Sequence, residues 1–145
     1  MDRIVIIGGV AAGATAAARA RRISADAEIT VLEAGPDISF ANCGLPYYIS
    51  RDIDRRSKLI LQSPESFREQ YDVKVEVETE VVSIDREARV VRARRKADDT
   101  ELELAYDSLI LAQGGKPFVP PIPGVEKPHV FSLWTLRDMD AIDSW

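Results

Sequence analysis

The chain has 145 residues, 46% of them hydrophobic and 30% charged, with a formal net charge of −5. Those values suit one globular domain with a real core, and they give no electrostatic case for nucleic acid or an anionic membrane as partner. A single cysteine, Cys43, and a single histidine, His129, exclude an intrachain disulfide and leave no material for a CxxC or histidine-based metal site, so no metal is expected.

Residues 4–18 form an apolar run ending in AAARARR, which superficially resembles a secretory leader. Its middle is GGVAAG, residues 1–3 carry no positive excess, and it is shorter than the ~18 apolar residues of a membrane span. It reads instead as a buried strand (RIVII, residues 3–7), a glycine turn, and a small-residue helix over residues 11–23. EITVLE, residues 28–33, completes a βαβ unit. A cytoplasmic chain with a reduced thiol is expected.

Residues 34–62 are loop-rich, with a short helix after Cys43. Ser63-Pro64 has the pattern of an N-cap followed by the first helical residue, opening a helix to about Tyr71. Val73, Val75 and Val77 alternate with Lys74, Glu76 and Glu78, a half-exposed strand. VVSID, ARVVRARR and ELELAYD follow, separated by Asp85-Arg86 and Asp98-Asp99, and predict an antiparallel meander over about residues 79–105. LILA, residues 109–112, returns as a buried strand ending at Gly114-Gly115. Five of the eight prolines fall between positions 117 and 128, an extended loop that contains His129 at its edge. Thr135-Leu-Arg-Asp138 fits a capping box, and the helix it opens runs into Trp145 without a stop signal. The chain is therefore expected to be part of something longer.

Gly8, Gly9, Val10, Ala11, Ala12 and Gly13 occupy the turn after the first strand. The dinucleotide fingerprint is G-x-G-x-x-G, and Val10 stands at its second glycine. The context is nevertheless that of the fingerprint: a strand before, a helix after, and Glu33 at the end of the next strand, 20 residues beyond Gly13. A helix N-terminus presents free N–H groups and a positive dipole end to a diphosphate. Glu33 can accept ribose hydroxyls and would repel a 2′-phosphate, which suits FAD or NAD over NADP. The competing reading is a βα turn whose glycines serve packing alone.

Thr15, Arg19 and Arg22 share one helix stripe, while Ala16, Ala20 and Ile23 form a small apolar stripe suited to the sheet. The arginines are either a solvated face or a strip for a phosphate-bearing molecule. Cys43 lies before Gly44, Leu45 and Pro46, at the start of a short helix, where a thiolate is favoured. A redox partner nearby would make it a reagent; without one it is an inert thiol.

IVIIGGVAAGATAAARARR, VLEAG, SFANCGLPYYI, YDSLILAQGGKPFVPPIPG and LRDMDAID together resemble the single-cysteine branch of FAD-dependent pyridine nucleotide-disulfide oxidoreductases. Within it the resemblance is strongest to coenzyme A-disulfide reductases, with NADH oxidases and peroxidases as relatives. It implies a Rossmann-like FAD/NAD(P)-binding three-layer α/β fold with the meander as an excursion. It also implies that residues 1–145 are the first segment of an FAD domain. The NAD(P)H and dimerisation domains would lie outside this chain, the complete protein would be a homodimer, and the segment alone would be inactive.

By position, the resemblance assigns Gly8 to Gly13 to the FAD pyrophosphate and Glu33, with Ala34 beside it, to the ribose. Val81 or Val82 would meet the adenine through backbone atoms. Ala112, Gln113 and Gly114 would form the flavin segment, with Gln113 replacing the commoner threonine or proline, and Arg137 would approach the flavin. Thr15, Arg19, Arg22, Ser39 and Asn42 match positions that bind CoA, whereas Tyr71 stands where that branch can present a lysine. Two-cysteine relatives use a CxxxxC dithiol; here Ile38 and Ser39 stand five and four residues before Cys43. The implied activity reduces CoA disulfide or persulfide with NADH or NADPH through a Cys43 mixed disulfide. Two alternatives are an oxidase or peroxidase cycling a Cys43 sulfenic acid, and a non-catalytic nucleotide-binding module in which Cys43 senses redox state.

Overall fold

Strand β1 (Arg3–Ile7), helix α1 (Ala11–Ile23) and strand β2 (Glu28–Leu32) form the expected βαβ unit. They come from a computed structural model that describes residues 2–145. The described chain divides into a first unit, residues 2–40 and 62–113, and a second unit, residues 41–61 and 114–145.

In the first unit the main sheet has the order β3-β2-β1-β7, with β3 at Lys74–Glu76 and β7 at Ser108–Leu111. Its pairings are parallel: Ile6 lies opposite Val31 on one side and Ile110 on the other. A parallel sheet needs cover on both faces. One face carries Ile6, Ile29 and Val31 against α1 and Phe67 of helix α3 (Pro64–Tyr71). The other presents Val5 and Leu32 to Val91, Ala93 and Tyr106. Val91 and Ala93 belong to a second sheet of β4 (Thr79–Asp85), β5 (Val90–Arg95) and β6 (Glu101–Ala105), antiparallel in the order β4-β5-β6. The meander is thus a third layer laid over the parallel sheet.

The helix ends follow their sequence signals. Ser63 Oγ accepts from the N–H of Ser66, whose Oγ accepts in turn from the N–H of Ser63, so both orphan donors are met. Two expectations need correction. Helix α1 buries Gly13, Ala14, Ala17 and Ala18 most deeply; Ala16 and Ala20 of the expected stripe pack partly buried against the same core, but Ile23 is 70% exposed. The helix lies so near the sheet that glycine and alanine fill the contact, which leaves Ile23 on the last turn without a wall to meet. The LILA strand is half-exposed, with Leu111 open to solvent, because β7 is the edge of the sheet.

The second unit contains a 3-10 turn (Asn42–Gly44), helix α2 (Leu45–Ile49), a second 3-10 turn (Arg56–Leu59) and helix α4 (Leu136–Ser144). Thr135 caps α4 by accepting from the N–H of Asp138, as its box predicts. Leu45, Leu59, Leu136 and Met139 are its large buried side chains.

Arg3 and Asp107 tie the start of β1 to the entry of β7. The guanidinium donates to both carboxylate oxygens at 3.1 and 2.9 Å, and the Arg3 N–H donates at 2.8 Å. The side-chain bond first, and the backbone bond second, hold the Asp107 carboxyl well below the usual carboxylate range. A carboxyl depressed in the folded state stabilises above its unfolded pKa of about 3.9, and that stability is lost as pH falls from there toward the folded value. Asp107→Asn is therefore expected to flatten the fall of melting temperature below about pH 4, measured by thermal unfolding across a pH series.

Candidate functional site

The strand order places its reversal between β1 and β7, where an open parallel sheet leaves a crevice at the strand ends. Gly8 follows β1 there, with φ of +97°, a left-handed value costly for any residue with a Cβ. A Cβ on Gly8 would stand 2.2 Å from the carbonyl oxygen of Ala112, the residue after β7. The Ala112 N–H donates to Ile7 O at 2.7 Å, so the two strand ends are locked together. A Cβ on Gly13 would lie 1.7 Å from Gly8 O, which lets α1 begin directly on the turn. Val10 is the N-cap with φ of −82° and ψ of −113°; its φ does not call for the left-handed region that glycine serves, although the pair lies outside the main helical and extended regions.

Helix α1 has no side-chain cap and no acid in its first turn, and Ala11 and Ala12 are exposed. Its leading N–H groups face outward without a built-in anion. Glu33 sits beside the turn: one carboxylate oxygen accepts from the Gly9 N–H and the other from the Gly35 N–H, both at 2.7 Å. An ionised carboxylate has about four lone-pair sites, so two acceptor positions are left for vicinal hydroxyls. Ala34, next in the chain, is exposed and accepts from Lys96 Nζ through its carbonyl at 2.6 Å. In β4 the register jumps from Val81, opposite Ala93, to Ser83, opposite Arg92. Val82 is the extra residue of that bulge and is exposed. An uncapped helix start with free N–H donors, set close on the turn by Gly8 and Gly13, and a carboxylate with acceptor positions to spare fit the diphosphate and ribose of a dinucleotide.

Thr15, Arg19 and Arg22 are all exposed on α1, and no ion pair holds either arginine among the described residues. Thr15 Oγ1 and Arg22 Nε donate back to carbonyls of their own helix, at 2.8 and 3.2 Å. Ser39 has φ of +46° and donates its N–H to Gly9 O at 3.0 Å, joining the same turn. Tyr71 packs on Phe67 with ring centroids 4.8 Å apart. Gln113 is exposed, and Gly114 opens the second unit at φ of +67°.

In the second unit Cys43 is exposed in the middle of the 3-10 turn, one residue ahead of the N-cap Gly44. The helix that follows has five residues. Asn42, beside it, donates from Nδ2 to Trp134 O at 3.4 Å. Arg137 is exposed on the first turn of α4. Sequence reasoning missed three features. Arg21 reaches back to Tyr71 O and Asp72 O, at 2.9 and 2.6 Å, fastening α1 to the end of α3. Glu33 grips two backbone N–H groups, and Arg56 pairs with Asp140 through both carboxylate oxygens. The spacing AAARARRI held a signal for the first: Arg21 lies four residues beyond the buried Ala17 and has to run its stem along the protein.

The family profile of pyridine nucleotide-disulphide oxidoreductases matches residues 2–144, and the chain belongs to that family. Its Rossmann-like fold agrees. The coenzyme A disulfide reductase of Staphylococcus haemolyticus strain JCSC1435 is 36% identical over 146 aligned residues, covering 100% of this chain and 32% of that protein. The solved structure of reduced Bacillus anthracis CoADR-RHD superposes with a TM-score of 0.95 at 43% identity, over 99% of this chain and 26% of the other. A NAD-dependent persulfide reductase from A. fulgidus gives 0.93 at 38% identity, over 98% and 26% of the two chains. The chain spans about a third of the length of its curated relative. Among the described residues no helix is long and apolar enough to cross a membrane.

The close approach at Gly13 makes a direct prediction. Gly13→Ala is expected to destabilise the chain by about 1–3 kcal/mol, since its Cβ meets backbone that cannot yield cheaply. Gly115→Ala, with nothing within 4 Å, serves as the control and is expected to melt as the parent does.

Proposed function

We propose that this chain is the first FAD-binding segment of a flavin disulfide reductase that uses Cys43 as its redox-active thiol and takes CoA disulfide or CoA persulfide as substrate. The observation that carries this is the setting of the thiol. Cys43 is exposed on a short turn, while the position that would hold a dithiol partner, Ile38, is a buried apolar residue at 2% exposure. The side chain at 38 has become wall: its Cγ2 would stand 2.8 Å from a Cβ on Gly9. An oxidised Cys43 would then pair with an external sulfur.

FAD, when bound, supplies the two-electron relay from NADH or NADPH to sulfur. The first-turn N–H groups of α1 would hold its pyrophosphate, Glu33 its ribose, and the backbone at Val81 or Val82 would meet its adenine. Ala112, Gln113 and Gly114 would form its flavin segment, and Arg137 would approach the flavin. Arg19 and Arg22, with Thr15, Ser39 and Asn42, take the phosphates and pantetheine arm of CoA. Exposed guanidinium groups that no ion pair holds among the described residues are suited to phosphate.

The Cys43 thiolate attacks one sulfur of CoA disulfide, so that the S–S bond breaks, a Cys43–S–S–CoA bond forms and CoA thiolate leaves. Two electrons and a proton then split that mixed disulfide into Cys43 thiolate and a second CoA thiol. With a persulfide as substrate, the thiolate would attack its sulfane sulfur in the same way. The complete protein is read as a cytoplasmic homodimer.

Cys43→Ser in the full-length protein is expected to keep its flavin absorbance and lose CoA-disulfide reduction to background. Intact mass of the wild-type protein should show a reductant-sensitive CoA adduct. Undiminished turnover by Cys43→Ser would end the proposal, and an oxygen-atom adduct in place of CoA would favour oxidase or peroxidase chemistry.

A further inference from the structure

The thiol sits on a turn only three residues long, and such a turn has little rigidity of its own. Its geometry is set by what fastens it. Ala41, immediately before it, donates its N–H to Leu59 O at 2.8 Å. Gly44, immediately after Cys43, lies against the same residue: a Cβ there would meet Leu59 Cδ2 at 2.5 Å. Leu59 is fully buried and ends the second 3-10 turn. Both flanks of Cys43 therefore rest on Leu59.

That second turn is fastened in its own right. Arg56, at its start, donates from Nε and Nη2 to Oδ1 and Oδ2 of Asp140, at 2.8 and 2.9 Å. A fork on a carboxylate fixes orientation as well as distance, unlike a single-point ion pair. Asp140 sits in the second turn of α4, next to the fully buried Met139. The segment that leads into the same helix also reaches the turn. Asp138 Oδ2 accepts from the N–H of Thr135 at 2.7 Å, which fixes the peptide plane whose carbonyl, Trp134 O, receives the Asn42 amide. The pieces 41–61 and 114–145 share no strand ladder, so side-chain contacts of this kind are what register one against the other.

We propose that Arg56 and Asp140 form a positioning pair for Cys43: by fixing the 3-10 turn that carries Leu59 to α4, they set where the thiol points. The inference rests on the reading of Cys43 as the reacting thiol. Both residues act through Leu59 and the backbone on either side of the thiol.

The test uses the full-length protein with Asp140→Asn, with Arg56→Lys, which keeps the charge but loses the fork, and with the swapped pair Arg56→Asp/Asp140→Arg. Turnover with CoA disulfide, melting temperature, and the rate of Cys43 alkylation by iodoacetamide at one fixed pH are measured for each. Both single variants are expected to lose about tenfold to a hundredfold in kcat with KM near the parent value, as a misplaced reacting atom does. Their alkylation rates should depart from the parent, their melting temperatures should stay close to it, and the swapped pair should recover most of the kcat. Parental kcat and alkylation rate in both single variants would overturn the proposal. So would a loss that tracks a collapse in melting temperature and is not recovered by the swap, because the pair would then be merely structural. Failure of the underlying reading looks different: Cys43→Ser would keep turnover, while alkylation in the other variants would still report on the turn.

Discussion

The carboxylate of Glu33 is the contact on which the nucleotide turn depends. It accepts from Gly9 and Gly35 at once, and so joins the loop after β1 to the loop after β2 at the same end of the sheet. Buried backbone donors must find partners, and here one side chain serves two loops. The close approach of Gly13 to Gly8 O then sets α1 on the turn from the other side. What the site requires is thus largely backbone geometry, with one acid to hold it.

That explains which parts of the fold could be read from the chain. The βαβ unit, the Thr135 capping box, the Ser63 N-cap and the meander were legible because each rests on local chemistry: a strand of branched residues, a cap residue at a helix start, an alternation between turns. Val10 obscured the fingerprint, yet its negative φ does not call for glycine's left-handed region, and the strand, turn and helix around it are those the fingerprint needs. The burial of α1 was read only in part: Ala16 and Ala20 do pack on the core, but periodicity carried the face on to Ile23, which is exposed. The surface that makes contact is chosen by closeness, and closeness favours Gly13, Ala14, Ala17 and Ala18.

The thiol's setting was less legible. Its neighbours SFANCGLPYYI announce a turn and a short helix, and the structure has both. The supports of that turn come from positions 56, 59, 134 and 140, far along the chain, and no local pattern ties them to residue 43. Ion pairs between distant segments leave no periodic trace in sequence. The arginine stripe of α1 is a middle case: spacing put Arg19 and Arg22 on one face, but only the fold shows them without carboxylate partners among the described residues.

The meander has a property that its strand pairing alone conceals. Across β5 and β6, Arg92 faces Glu103 and Arg94 faces Glu101, while Val91 faces Leu104 and Ala93 faces Leu102. An error of one residue in this pairing would turn leucines to water and charges to the sheet, and the apolar layer rejects it. An error of two residues would be harder to detect. Sliding β6 so that Arg92 met Glu101 and Arg94 met Asp99 would keep every sign matched and every leucine inward. What forbids it is the turn, where Asp98 Oδ1 accepts from the Thr100 N–H and Asp99 takes φ of +57°. Burial therefore proofreads the odd slips of this sheet, and a single tight turn proofreads the even ones.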